Sequence, residues 1–196
     1  MAHIPSGTTA ELELLTFSKA LEAANTPSGE YDIEKWLYAP NFYSEYRYIL
    51  GTRGRNPLIC IGINPSTAKP DALDNTLKSV ERIALGNGFD SFIMFNVYAQ
   101  RATSPDDMER QCNPMLHQEN LKAFRYVLSI SEKPSVWAAW GLSLKSGNIC
   151  PTVSGICFWP VRNSAPNGTV PVPSQKRDTP TIPFICARTK KSSPSM

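Results

Sequence analysis

Histidine is nearly absent from this chain: the 196 residues hold two, His3 and His117. The five cysteines, Cys60, Cys112, Cys150, Cys157 and Cys186, are odd in number and contain no Cys-x-x-Cys pair. That speaks against a disulfide framework and a zinc site, and fits a reducing cytosol. No apolar run approaches membrane-spanning length, and no charged segment followed by an apolar core opens the chain, so a cytoplasmic protein with no membrane partner is expected. A Gly-x-Gly-x-x-Gly or Walker pattern is missing, which removes the usual phosphate cradles, and Asp71, Asp74, Asp106 and Asp107 form no recognisable metal motif. Neither a metal nor another cofactor is expected. Charge of one sign is also in short supply: the formal balance is only +3, compatible with a nucleic-acid partner, and hence with a nucleoid or nuclear location, without requiring either.

What the chain does have is 41% hydrophobic residues, enough for one core at this length and too little for two large domains. Its organising stretch runs from Leu58 to Ala68. Leu-Ile-Cys-Ile is continuous and rich in strand formers, and Gly62, Asn64, Pro65, Ser66 and Thr67 then turn it polar, as expected of a buried strand ending in a loop. Strands buried on both faces belong to parallel sheets, whose ligands sit beyond the carboxyl ends of the strands.

Thr8 and Glu11 have capping-box spacing ahead of Leu14, Phe17 and Leu21, which predicts a helix ended by Asn25-Thr26-Pro27, docked on the core or offered to a partner. The aromatics between Tyr31 and Leu50, interleaved with Arg47, suit either a hairpin packed on the core or a base-stacking surface. Tyr46 to Leu50 alternates as a strand, and Gly51 to Pro57 reads as a turn. A helix is predicted over 76–85, with Asp74 as its cap and Gly86 and Gly88 as its stop. Phe92-Ile93-Met94-Phe95 reads as the next core strand, ending in Asn96. Ser104-Pro105 should start a short helix and Asn113-Pro114 should restart it, with Leu121, Phe124 and Leu128 on the buried face and an end near Glu132-Lys133-Pro134. Val136 to Gly141 reads as a third strand, and strand, helix, strand, helix, strand is the order of parallel crossovers.

Three regions follow: an N-terminal helical extension over 1–30, an α/β core over 31–147, and a Pro-rich segment over 148–196 with a candidate last strand at 181–189. Seven prolines from Pro151 to Pro183 leave no room for another crossover helix.

The segment from about Tyr46 to Gly141 resembles domain of unknown function 1643. The resemblance rests on Tyr46-Arg47-Tyr48, Asn64-Pro65-Ser66-Thr67-Ala68, Asp74 and Thr76, Phe95-Asn96 with Arg101-Ala102-Thr103, Asn120, and Ala139-Trp140-Gly141. That family is in turn similar to the uracil-DNA glycosylase superfamily, which implies a short, mostly parallel sheet with helices on both faces, a three-layer α/β sandwich. Gly62-Ile63-Asn64-Pro65 resembles the loop of mismatch-specific uracil glycosylases in which the Asn positions the attacking water. Phe95-Asn96-Val97 is similar to the strand end whose Asn bonds the flipped pyrimidine. Glycosylases also place a His after the last strand, and Ser193 stands at that position here, which marks either a degenerate member or a tail altered by splicing or reading frame.

The resemblance thus implies Asn64 as the water-positioning group, and Pro65, Ser66, Thr67, Asn96, Arg101, Thr103, Trp140 and Gly141 as substrate contacts. Asn offers a donor and an acceptor but does not ionise, so N-glycosidic hydrolysis, if retained, is expected to be slow. Arg101 and Thr103 suit a phosphate, or Arg101 an ion pair with Asp74 or Asp106. Trp140 suits a pocket cap or the core. His3 is expected in a loose terminus and His117 at the surface of its helix. The functional expectation is a nucleobase- or nucleotide-binding protein, with a non-catalytic interaction or scaffold module as the alternative.

Overall fold

The computed structural model describes residues 2–139. Trp140, Gly141, Ser193, the Pro-rich segment over 148–196 and the strand expected at 181–189 lie outside the described residues. Five strands form one sheet: β1 (Trp36–Ala39), β2 (Ile49–Thr52), β3 (Pro57–Gly62), β4 (Ser91–Asn96) and β5 (Ser135–Ala138), in the spatial order β1-β2-β4-β3-β5. The β4-β3-β5 portion is parallel, as expected. The expectation of a mostly parallel sheet holds only for that half: β1 pairs antiparallel with β2, and β2 antiparallel with β4. The physical reason is the short β1–β2 connection, which closes a hairpin, whereas parallel neighbours need a crossover.

Helices cover both faces. The alternation of strand side chains sends Ile59, Ile61, Ile93 and Phe95 to one face, against Phe17 and Ala20 of α1 (Phe17–Ala24) and Ala123 and Val127 of α3 (Pro114–Ser129). Leu58, Cys60, Phe92 and Met94 go to the other, against Leu77, Val80 and Ala84 of α2 (Asn75–Gly86). Each large side chain buried this way contributes about 2 kcal/mol of transfer free energy. The result is a mixed α/β protein of three layers.

Local signals set most helix ends. Asp74 accepts from the Leu77 amide at 2.9 Å and starts α2, and Asn113 accepts from Met115 and Leu116 with Pro114 in the first turn of α3. At the N-terminus the expectation fails. Thr8 caps nothing, and only one 3-10 turn, Thr9–Glu11, forms there. The Glu109 carboxylate takes both the amide and the hydroxyl of Thr9. The Tyr46 hydroxyl accepts from the Leu15 amide at 2.9 Å, and the Tyr48 hydroxyl donates to the Leu15 carbonyl at 2.7 Å. With those backbone groups committed to tertiary partners, the helix starts only at Thr16, whose side chain accepts from Lys19.

The aromatic stretch resolves into the hairpin: Trp36, Tyr38, Tyr46 and Tyr48 are all buried, while Phe42 and Tyr43 remain exposed.

Candidate functional site

The β3–β4 junction positions the site. The chain leaves β3 toward α2 on one face and leaves β4 toward α3 on the other, so the carboxyl ends of these two adjacent parallel strands flank a topological switch point, where open α/β sheets hold ligands. Gly62 and Asn96 are register partners there. A Cβ on Gly62 would come 2.9 Å from the Asn96 amide nitrogen and 2.4 Å from Met94 Cε, so glycine lets the Asn96 side chain lie along β3.

Beyond the strands the two loops stay joined. Val97 N donates to Gly62 O, Tyr98 N to Ile63 O and Ala102 N to Pro65 O, at 2.9, 2.8 and 2.9 Å. Asn64 adds a side-chain staple, its Nδ2 donating to Ala102 O at 2.6 Å and to Pro65 O at 3.3 Å. Its Oδ1 accepts from no described residue, and the side chain is half-buried. The Ser66 and Thr103 hydroxyls are 3.3 Å apart, and Thr67 is half-buried beside them. Asn64, Pro65, Ser66 and Thr103 therefore meet on one rim.

Asn96 sits at the same strand end but faces inward. It is 1% exposed, and its Oδ1 accepts from Arg47 Nη2 at 3.0 Å. Asn120 of α3 fixes the backbone there, its Nδ2 donating to the carbonyls of Asn96 and Val97 at 3.0 and 3.1 Å. Arg101, 0% exposed, bonds no acid among the described residues. It donates to the carbonyls of Ser66 and Ala68 and to the Tyr38 hydroxyl, and the exposed Tyr43 ring lies over its guanidinium at 4.4 Å. The alternative of an ion pair with Asp74 or Asp106 does not form: the Asp74 carboxylate caps α2, and Arg101 bonds neither acid.

Sequence reasoning missed Arg47 as a site residue. It donates to Ala68 O at 3.2 Å as well as to Asn96, and burial first, then the charge of Arg101, pulls it down to about 9. Burial also lowers Arg101. The available signal was a cation flanked by tyrosines in an alternating apolar strand. His3 is not loose. Its ring bonds Glu45 at 3.1 Å and the Tyr43 hydroxyl at 3.0 Å, and its backbone pairs with Thr103. His117 is not at the surface either: it is 8% exposed, with Nε2 unpartnered among the described residues.

A separate groove of about 800 Å³ between the Thr8–Leu14 segment and residues 109–115 shares no lining residue with the rim. Among the described residues no group of three or more His, Cys, Asp or Glu is placed to hold a metal, and no helix is long and apolar enough to cross a membrane.

The fold and rim define a three-layer α/β protein with a mixed sheet and an Asn-Pro-Ser-Thr loop at its switch point. A family model described as "Protein of unknown function (DUF1643)" matches residues 47–155, more than half of the 196 residues, and the chain belongs to that family. No curated protein and no solved structure matches the chain.

Proposed function

We propose that the chain binds a nucleobase-bearing ligand, a nucleotide or nucleic acid, at the rim between the β3 and β4 loops, with slow N-glycosidic hydrolysis as the chemistry the rim favours. The observation that carries this reading is the Asn64 staple. With Nδ2 held 2.6 Å from Ala102 O, the amide plane is fixed, and Oδ1 of this half-buried residue is an acceptor of set direction that orients a water or a ligand N–H. The similarity of Gly62-Ile63-Asn64-Pro65 to the water-positioning loop of uracil glycosylases supports the same role. Asn64 takes no proton, so the rate stays far below that of a site with a positioned base.

A second reading, a non-catalytic interaction or scaffold module, is favoured by Asn96. A base-reading group needs a free polar edge, and this one is buried against Arg47.

Incubation with labelled single strands and duplexes containing uracil, hypoxanthine or mismatches tests the chemistry. Abasic product from the native chain and none from Asn64→Ala supports hydrolysis, and equal yields from the two remove it. A melting temperature unmoved by a panel of nucleobases, nucleotides and oligonucleotides removes the binding claim and leaves the scaffold.

A further inference from the structure

The polar cluster beneath the rim has an excess of donors. Each guanidinium carries five N–H groups, and the acceptors that Arg47 and Arg101 find are all neutral: the carbonyls of Ser66 and Ala68, the Asn96 amide oxygen and the Tyr38 phenol. Burial raises the Tyr38 phenol, so it supplies no negative charge near neutral pH. The Asp74 carboxylate acts on both cations through space but hydrogen-bonds neither. Among the described residues three buried donors have no acceptor: Arg47 Nε, Arg101 Nε and Asn96 Nδ2. A buried charge without a counter-ion is costly, and two of like sign side by side are costlier. Among the described residues, what the cluster lacks is a hydrogen-bond acceptor that carries negative charge.

We propose that this cluster, at the switch point between the β3 and β4 loops, is an oxyanion site in which Arg47 and Arg101 bind a phosphate group carried by the ligand. Tyr43 closes it. The ring over Arg101 is 44% exposed and its hydroxyl bonds His3, so entry of a phosphate past this ring requires Tyr43 to leave His3. The Ser66 and Thr103 hydroxyls stand at the mouth and supply further donors. The inference concerns the same rim as the nucleotide reading and rests on that reading only for the source of the phosphate.

The test uses the full chain and inorganic phosphate as the probe, with chloride at matched ionic strength as control. Arginine Nε–Hε resonances are followed by NMR and assigned with Arg47→Lys and Arg101→Lys. Saturable shifts of both resonances, together with a melting temperature that rises with phosphate concentration, are expected. Arg101→Gln should weaken phosphate binding about tenfold or more, the scale of one lost charge-assisted hydrogen bond. Resonances that move no more with phosphate than with chloride overturn the site, as does undiminished phosphate affinity in a folded Arg101→Gln chain. If that variant does not fold, the native resonances decide alone. A 5′-mononucleotide and its nucleoside form the second arm. Phosphate and mononucleotide binding without nucleoside binding keeps the oxyanion site and removes the nucleobase reading, and nucleoside binding with no response to phosphate does the reverse.

Discussion

Arg47 and Arg101 donate to one and the same carbonyl oxygen, that of Ala68, at 3.2 and 3.1 Å. The two residues come from the same end of the antiparallel β2–β4 pairing, one just before β2 and one in the loop after β4, and they converge on the loop after β3. Each holds that loop in place while repelling the other.

This sharing sets the sign of a double-mutant cycle. Arg47→Met or Arg101→Met alone relieves the repulsion and still leaves Ala68 one donor. The double variant leaves the carbonyl with none and gains no second relief. It is therefore expected to lose about 1–2 kcal/mol more than the sum of the single losses. Urea unfolding of the four chains measures this, and a double variant milder than the sum would mean that the two cations do not oppose one another.

Asn120 tests whether α3 fixes the end of β4 through its amide. Asn120→Ala removes both donors to the Asn96 and Val97 carbonyls and should cost about 2 kcal/mol. Asn120→Asp should cost more, because a carboxylate then faces two carbonyl oxygens where donors stood. Chemical denaturation at pH 7 ranks the two, and equal losses would point to packing rather than to the hydrogen bonds.

Two glycines should respond in opposite directions to the same change. A Cβ on Gly51 would lie 2.2 Å from the Phe92 carbonyl oxygen and 2.8 Å from Ile93 Cα, both backbone atoms of the paired strand. Gly51→Ala is expected to cost about 3 kcal/mol or to prevent folding. Gly86, the last residue of α2, has open space around it, and Gly86→Ala should stabilise by about 0.5–1 kcal/mol. Thermal melts of the two variants provide the comparison.

His117 should make the fold sensitive to mild acid. Burial lowers its imidazole from the ordinary 6.5, so the unfolded chain takes up the proton first. Stability contributed by the neutral ring is whole above pH 6.5 and is lost as pH falls below it toward the depressed folded value. Urea midpoints between pH 7.5 and 5.5 should drop in the native chain and drop less in His117→Leu. Parallel profiles would show that folding leaves the proton affinity of the imidazole unchanged.

Much of the parallel half of the sheet was legible because its signals are local. Leu58 to Gly62 and Phe92 to Phe95 announce buried strands by composition, and α2 and α3 begin at Asp74 and at Asn113-Pro114, whose caps act within one turn. Of the antiparallel half, the hairpin was one of two readings of the aromatic stretch, but the pairing of β2 with β4 was not legible, since an alternating strand pattern fits whichever neighbour it takes. At the N-terminus a correct local pattern was overruled: Thr8 and Glu11 have the spacing of a cap, but Glu109 and the hydroxyls of Tyr46 and Tyr48 claim the backbone first.

The sequence by itself determined the strands β3 and β4, the helices α2 and α3, and that Asn64 to Thr67 form a polar loop at a strand end, because period, capping and turn chemistry act over a few residues. Only the tertiary structure decided that Arg47 reaches across 49 positions to Asn96 and that Arg101 reaches Tyr38 across 63. A side chain's type restricts what it can bond, but which distant acceptor it meets follows from strand order and direction, and these minimise buried, unpaired polar groups over the whole chain at once.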